Sequence, residues 1–279
     1  MAVYDLYRYQ LLPAPEFQSD LFEGRPLSSE ELRAQKNGLF FAALNEISDF
    51  SHRGFETTKK ILLQSDTVVI FKIGIQKTVD RDTRELTKEK VESWPNVTVI
   101  VDNSPDVQAI AVSRNPRAFS SSRVLIEHLS RVIGSRLKAK GLTIEIREQF
   151  NSADFWTVVN ENEGKVQRIR FEMVSPNMAN ISGALEVDLR SLNRDTHSQR
   201  VDIELNAPPG SALAVETSNP LINGCVDYAS KGGGDIAIKI QGLRKEVRTS
   251  SSVKTIEIEN LEIQGEPEKV GAEIRRLLQ

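Results

Sequence analysis

Residues 97–150 constrain the fold more than any other stretch of this chain. Val97-Thr98-Val99-Ile100-Val101 is rich in β-branched residues and runs into Asp102, Asn103, Ser104, Pro105 and Asp106. Val107-Gln108-Ala109-Ile110-Ala111-Val112 then resumes the apolar pattern. Two such runs separated by turn formers predict an antiparallel hairpin. Beyond Arg114-Asn115-Pro116-Arg117 a helix is expected over about 120–140, with Ser120, Ser121 and Ser122 offering N-cap oxygens and Gly141 a stop. Ile126, Leu129, Ile133 and Leu137 recur at three and four residues and predict one buried stripe on that helix. Leu142-Thr143-Ile144-Glu145-Ile146 reads as a following strand.

Similar patterns run through the rest of the chain. Tyr4, Leu6, Tyr7 and Tyr9 suggest a first strand closed by Pro13 and Pro15, with a loop over 14–27. Ser28 and Glu31 have capping-box spacing, and Leu39, Phe40, Ala43, Leu44 and Ile47 mark the core face of a helix reaching about Phe50. Residues 67–75 form a strand. Residues 78–93 are dense in Asp, Glu, Lys and Arg and are expected to be a solvated loop or short surface helix. Downstream come a short helix at Phe155 and Trp156, a strand Val166–Val174 ending at Ser175-Pro176-Asn177, a helix near 181–193 and a strand at 200–206. Pro220 opens a helix to Tyr228, the glycines 232–234 turn the chain into alternating Ile236, Ile238 and Ile240, and Ile256, Ile258 and Leu261 precede a terminal helix at 267–278. The fold class is α+β, mainly antiparallel sheets with packed helices, as one large or two loosely separated domains. The lapse of apolar pattern at 76–95 suggests an N-terminal region 1–95 and a domain 96–279 holding the hairpin and basic helix.

Composition narrows the function classes. At 279 residues, 39% hydrophobic and 27% charged, the chain can bury a substantial core. A net charge of −3 excludes a polycation that coats nucleic acid at large but allows a basic face. A single cysteine, Cys225, cannot form an intrachain disulfide, and no signal peptide or membrane-length apolar run is visible, so a cytoplasmic location without membrane insertion is expected.

Charge is the chemistry that stands out. Arg114, Arg117, Arg123, Arg131, Arg136, Lys138 and Lys140 face one acid, Glu127, between 114 and 140. Arg123, Arg131 and Lys138 fall roughly opposite the predicted stripe, where cations on a rigid helix suit a phosphate backbone. Solvation of an outer helix face, with Lys138 and Lys140 favoured by the helix dipole, explains the same pattern without a ligand. Lys239, Arg244, Lys245, Arg248 and Lys254 make a second basic segment, with Thr249, Ser250, Ser251 and Ser252 as further donors. It fits a backbone-gripping loop or a flexible polar connection. The glycine run at 232–234 lacks the Lys-Ser/Thr of a phosphate loop and reads as a flexible turn. His52, His128 and His197 are scattered, and Ser135/Lys138 and Ser251/Lys254 match a Ser-x-x-Lys spacing expected by chance. A Mg²⁺ nuclease would draw on Asp102 or Asp106 and on Glu145 of Glu145-Ile146-Arg147, where Arg replaces the usual Lys. No catalytic residue, metal or cofactor is assigned, and enzymatic activity is not expected.

The order hairpin, polar turn, amphipathic helix, strand and later strand, carried by Val97–Val112, 121–140, Leu142–Ile146 and Ile169–Asn177, resembles the RexA-like phage lambda exclusion proteins. It is also similar to a related uncharacterised bacterial family, to which Gly232–Gly234, Ile236–Ile240 and Thr249–Lys254 add. The resemblance covers about 97–260 and supplies no diagnostic motif. It implies a DNA-binding component of anti-phage defence with little sequence preference, a homodimer that senses or regulates a partner effector. The residues assigned to nucleic acid rest on charge: Arg114, Arg117, Arg123, Arg131 and Lys138, with Arg244, Lys245 and Arg248 as a second clamp. A Mg²⁺-dependent nuclease and a protein-interaction scaffold are the alternatives.

Overall fold

The computed structural model describes residues 2–14, 29–47, 50–52, 54–105, 107–174, 196, 198–259 and 266–278. The α+β class holds: helices pack beside antiparallel sheets. Contacts divide the chain into two units interleaved in sequence. One takes Met1–Asp5, Pro13–Ile144 and Ile256–Gln279; the other takes Leu6–Leu12 and Glu145–Thr255. No described helix is long and apolar enough to cross a membrane.

In the first unit the strands are β1 (Ala2–Pro13), β2 (Phe50–His52), β3 (Phe55–Gln64), β4 (Val68–Ile75), β5 (Lys77–Asp82), β6 (Lys88–Ser93), β7 (Asn96–Asp102) and β8 (Ala109–Ser113). β9 (Leu142–Glu148) pairs β1, and its residues, like those of β1, are divided between the units. The last strand of the large sheet, β14, is Thr255–Ile258, and the four strands between, β10 (Val166–Val174), β11 (Arg200–Asn206), β12 (Gly234–Ile240) and β13 (Val247–Arg248), belong to the second unit. The order of the large sheet is β14-β1-β8-β7-β4-β3-β2. The expected 97–112 hairpin is β7 and β8, antiparallel with Val99 facing Val112 and Val101 facing Ile110. β7 also pairs β4 and is buried on both faces, Val97 through Asp102, which is why its sequence is nearly continuous in apolar residues.

Helix α1 (Ser29–Asn45) buries Phe40, Ala43 and Leu44, and Ile47 is buried just beyond its end, as their spacing predicts. Helix α2 (Ser122–Lys138) starts where the serines allow: Ser121 Oγ accepts from the Val124 N–H at 3.4 Å. Ile126, Leu129, Ile133 and Leu137 are buried, joined by Leu125. Lys140 N donates to Leu137 O at 2.9 Å, and Gly141 takes φ +75° to end the helix.

Residues 78–93 differ from expectation. They form an antiparallel hairpin, β5 and β6, separate from the large sheet and largely exposed. Charge pairing across the strands replaces apolar alternation: Asp80 faces Lys90, Arg81 faces and bonds Glu89, and Asp82 faces Lys88 around a Val79–Val91 pair.

The second unit contains α3 (Ser152–Glu161), β10 (Val166–Val174), β11 (Arg200–Asn206), α4 (Pro220–Tyr228), β12 (Gly234–Ile240) and β13 (Val247–Arg248). Its sheet runs β11-β10-β12-β13, antiparallel throughout. Phe171, Ile236 and Ile238 share one core with Phe155 of α3 and Cys225 of α4. Pro220 sits at the first turn of α4, and Asn219 Oδ1 caps it from Leu221 N at 3.0 Å and Ile222 N at 3.2 Å. The last helix, α5 (Pro267–Leu278), returns to the first unit. The expected helix near 181–193, the turn 175–177, Leu261 and most of the 14–27 loop lie outside the described residues.

Candidate functional site

Burying the α2 stripe fixes what its other face can present. Arg131 and Lys138 are exposed, seven residues apart and so about 10 Å along the axis on one side of the helix. Arg117 is exposed in the turn before α2, where Asn115 Oδ1 accepts from the Arg117 N–H at 3.2 Å. Among the described residues no acid pairs with any of these three side chains.

Neighbouring cations are bound to acids. Arg114 holds Asp5 at 2.7 Å, and Ser122 donates to the same carboxylate, so Asp5 of β1 ties both the exit of β8 and the entry of α2. Arg123 pairs with Glu127 one turn later at 3.4 Å. Arg136 and Lys140 approach Glu46, next to the C-terminal end of α1, at 3.8 and 3.7 Å. The sequence-assigned set therefore separates into Arg114 and Arg123, paired with acids, and Arg117, Arg131 and Lys138, whose charge faces water.

The second basic segment is built differently. Arg244 and Lys245 are exposed at the β12–β13 turn, whose carbonyls are held by Lys239: its Nζ donates to Leu243 O at 2.6 Å and to Arg244 O at 3.2 Å. Arg248 reaches across the outer face of the sheet to Asp235 at 2.8 Å and Glu172 at 3.2 Å. The hydrogen bonds it donates to Glu172 and Asp235 push its pKa further above the ordinary arginine value. Asp235 is buried and also accepts from Thr249 Oγ1 at 3.0 Å and from Ser250 Oγ at 3.1 Å. Ser251 Oγ donates to Arg248 O at 2.6 Å and Ser252 Oγ to Asp154 at 2.5 Å. All four hydroxyl donors of 249–252 are thus spent inside the unit, and Arg248 is a cross-strand tie. Arg244 and Lys245 keep their charge outward.

The same sheet face carries a further ladder of opposite charge. Arg168 bonds Glu246 and lies 4.0 Å from Glu204, and Arg170 reaches Glu172 at 2.9 Å. Arg168 holds the Glu246 carboxyl below its usual pKa. The face is charged yet self-compensated.

The glycine run is neither a phosphate loop nor a flexible turn. It forms a tight π-turn, Ala229–Gly233, at the carbonyl end of α4, which repels rather than attracts anions. Arg8 packs against it and donates to Lys231 O at 3.1 Å. A Cβ on Gly232 (φ +80°) would sit 2.5 Å from Arg8 Cβ, and one on Gly234 would sit 2.2 Å from Glu172 O. Close packing requires these glycines.

Other chemistry suggested by the sequence is taken up structurally. Glu145 accepts from Arg147 and Arg200, both at 2.9 Å, and Asp102 is buried against Ser104 N at 2.8 Å and Arg275 Nε at 3.3 Å. Asp106 lies outside the described residues. Among the described residues no three His, Cys, Asp or Glu side chains gather as metal ligands. Ser135 Oγ donates to Val132 O at 2.8 Å and so does not serve Lys138. Burial pushes the Cys225 thiol up to about 11, which leaves it inert at neutral pH. Comparison with protein-family models, curated proteins and solved structures finds no match to this chain.

Proposed function

We propose that this protein binds nucleic acid through its phosphate backbone, with the outer face of α2 as the primary contact. One observation carries this reading: Arg117, Arg131 and Lys138 have no acidic partner among the described residues, in a chain where Asp and Glu number 39 against 36 Lys and Arg. Cations so exposed on a rigid helix and in the turn that leads into it suit a polyanion, and long flexible side chains that reach phosphates give no base readout. Binding is therefore expected to be indifferent to sequence. Arg244 and Lys245 are a second contact of the same kind. The resemblance of the sequence layout to RexA-like proteins supports reading the duplex as DNA and the setting as phage exclusion, with a partner effector regulated by binding.

Fluorescence anisotropy on two unrelated labelled duplexes tests this. The three phosphate contacts of Arg117, Arg131 and Lys138 alone give a slope of roughly −2.7 in log K against log salt, so affinity should fall at least roughly fortyfold between about 50 and about 200 mM salt, and more steeply where Arg244 and Lys245 also engage. Equal affinities for the two duplexes are expected. Absence of binding at the lower salt, or binding that salt leaves unchanged, overturns the proposal.

A further inference from the structure

We propose that the hairpin of β5 and β6 is a self-association element, in which β6 pairs antiparallel with β6 of a second copy of this chain, centred on Val91. Among the described residues no strand covers the outer edge of β6, and the hairpin joins no other sheet. An isolated two-stranded ribbon is marginal in water, and an unpaired edge is a template for another strand. Val79, 42% exposed, and half-buried Val91 lie opposite each other on one face with little covering them.

Symmetry and charge together select the register. Two identical strands related by a two-fold axis normal to the sheet must be centred on a residue that faces its own copy. Centring on Lys88, Glu89, Lys90 or Glu92 sets a charge against itself. Centring on Ser93 brings Pro95, which has no N–H, into the ladder. Val91 is the remaining centre in β6. It sets Lys90 against Glu92 of the other copy twice, Glu89 against Ser93, and Lys88 beside the Trp94 indole.

The rows of the resulting sheet agree with those already inside each hairpin. Val79 and Val91 continue into Val91 and Val79 of the second copy, an unbroken apolar row on one face. On the other face the row is Asp80, Lys90, Glu92, Thr78, with opposite charges adjacent from Asp80 through Glu92 and the neutral Thr78 at its end. Lysines on an edge strand oppose indiscriminate pairing; here they become complementary in one register alone. The hairpin's charges balance, Lys77, Arg81, Arg84, Lys88 and Lys90 against Asp80, Asp82, Glu85, Glu89 and Glu92, so it offers no field to a polyanion. A second copy supplies the matching row.

Sedimentation velocity from about 1 to about 200 μM should show a reversible monomer–dimer equilibrium. Lys90→Glu or Glu92→Lys alone converts both cross-strand pairs to like charges and should weaken the dimer at least about tenfold. An equimolar mixture of the two variants should recover it, because each pair in the mixed dimer is again opposite in charge. A wild-type chain that stays monomeric throughout overturns the proposal. So does a dimer that both variants leave intact, or a mixture that stays monomeric while circular dichroism shows both variants folded.

Discussion

Lys138 and Arg248 are equivalent as letters in basic segments, yet their surroundings differ completely. Arg248 meets Glu172 and Asp235 because alternation on β10 and β12 puts both acids on its side of the sheet. Lys138 meets no acid among the described residues, and its helix neighbours at three and four residues are Ser135 and Gly134. Lys59 is a third case: its Nζ donates to Leu44 O at 2.7 Å and lies 4.9 Å from the Phe71 ring centre. Burial lowers its pKa from 10.5 to about 8. The folded chain then sheds this proton near pH 8 while the unfolded chain keeps it to about 10.5, so this residue makes stability rise with pH across that window. Cys225 acts oppositely between 9 and about 11, because the unfolded chain loses its proton first. Urea unfolding of wild type and Lys59→Met at several pH values separates the two. The variant should lose the upward contribution, and identical slopes in both proteins would exclude it.

At the scale of elements, α2 was legible because its sequence holds one period throughout. Its stripe, its serine cap and its glycine stop all mark the same 17-residue helix. Ile133 is fully buried, so Ile133→Ala should cost about 2–5 kcal/mol of unfolding free energy, measured by denaturant titration, through lost burial and a residual cavity. A smaller loss would mean that neighbouring side chains close the gap. The β5–β6 hairpin was not legible, because its strands are specified by partners on the opposite strand and charge pairing leaves no apolar period to detect. Likewise, alternation is hidden in β7 because both its faces are buried. The candidate site was legible as a list of cations. Which of them carried acids was not, since Asp5 lies over a hundred residues from Arg114 and Glu46 ninety residues from Arg136.

For the whole molecule, the two units divide the sequence-assigned cations: Arg117, Arg131 and Lys138 belong to one, Arg244, Lys245 and Arg248 to the other. With a net charge of −3, the chain as a whole gives a polyanion no attraction, and any binding must be local to a face. Arg131→Ala combined with Lys138→Ala should therefore reduce the salt slope of duplex binding by about 2. Both side chains are exposed and pair with no acid among the described residues, so the unfolding free energy should stay within about 0.5 kcal/mol of wild type. An unchanged slope would remove α2 from the interface and leave Arg244 and Lys245 to be tested in the same way.

The sequence alone determined the elements whose information is local. Period, caps and turn residues specify the β7–β8 hairpin, α2 and the proline-led α4, because each depends on neighbours within a few positions. Tertiary structure alone decided which charges remain available. Pairing brings distant acids onto Arg114 and Arg248, turns the 249–252 hydroxyls inward and closes the glycine turn against Arg8. Coulombic and hydrogen-bond partners act over a few ångströms of space, a distance that separation along the chain does not encode.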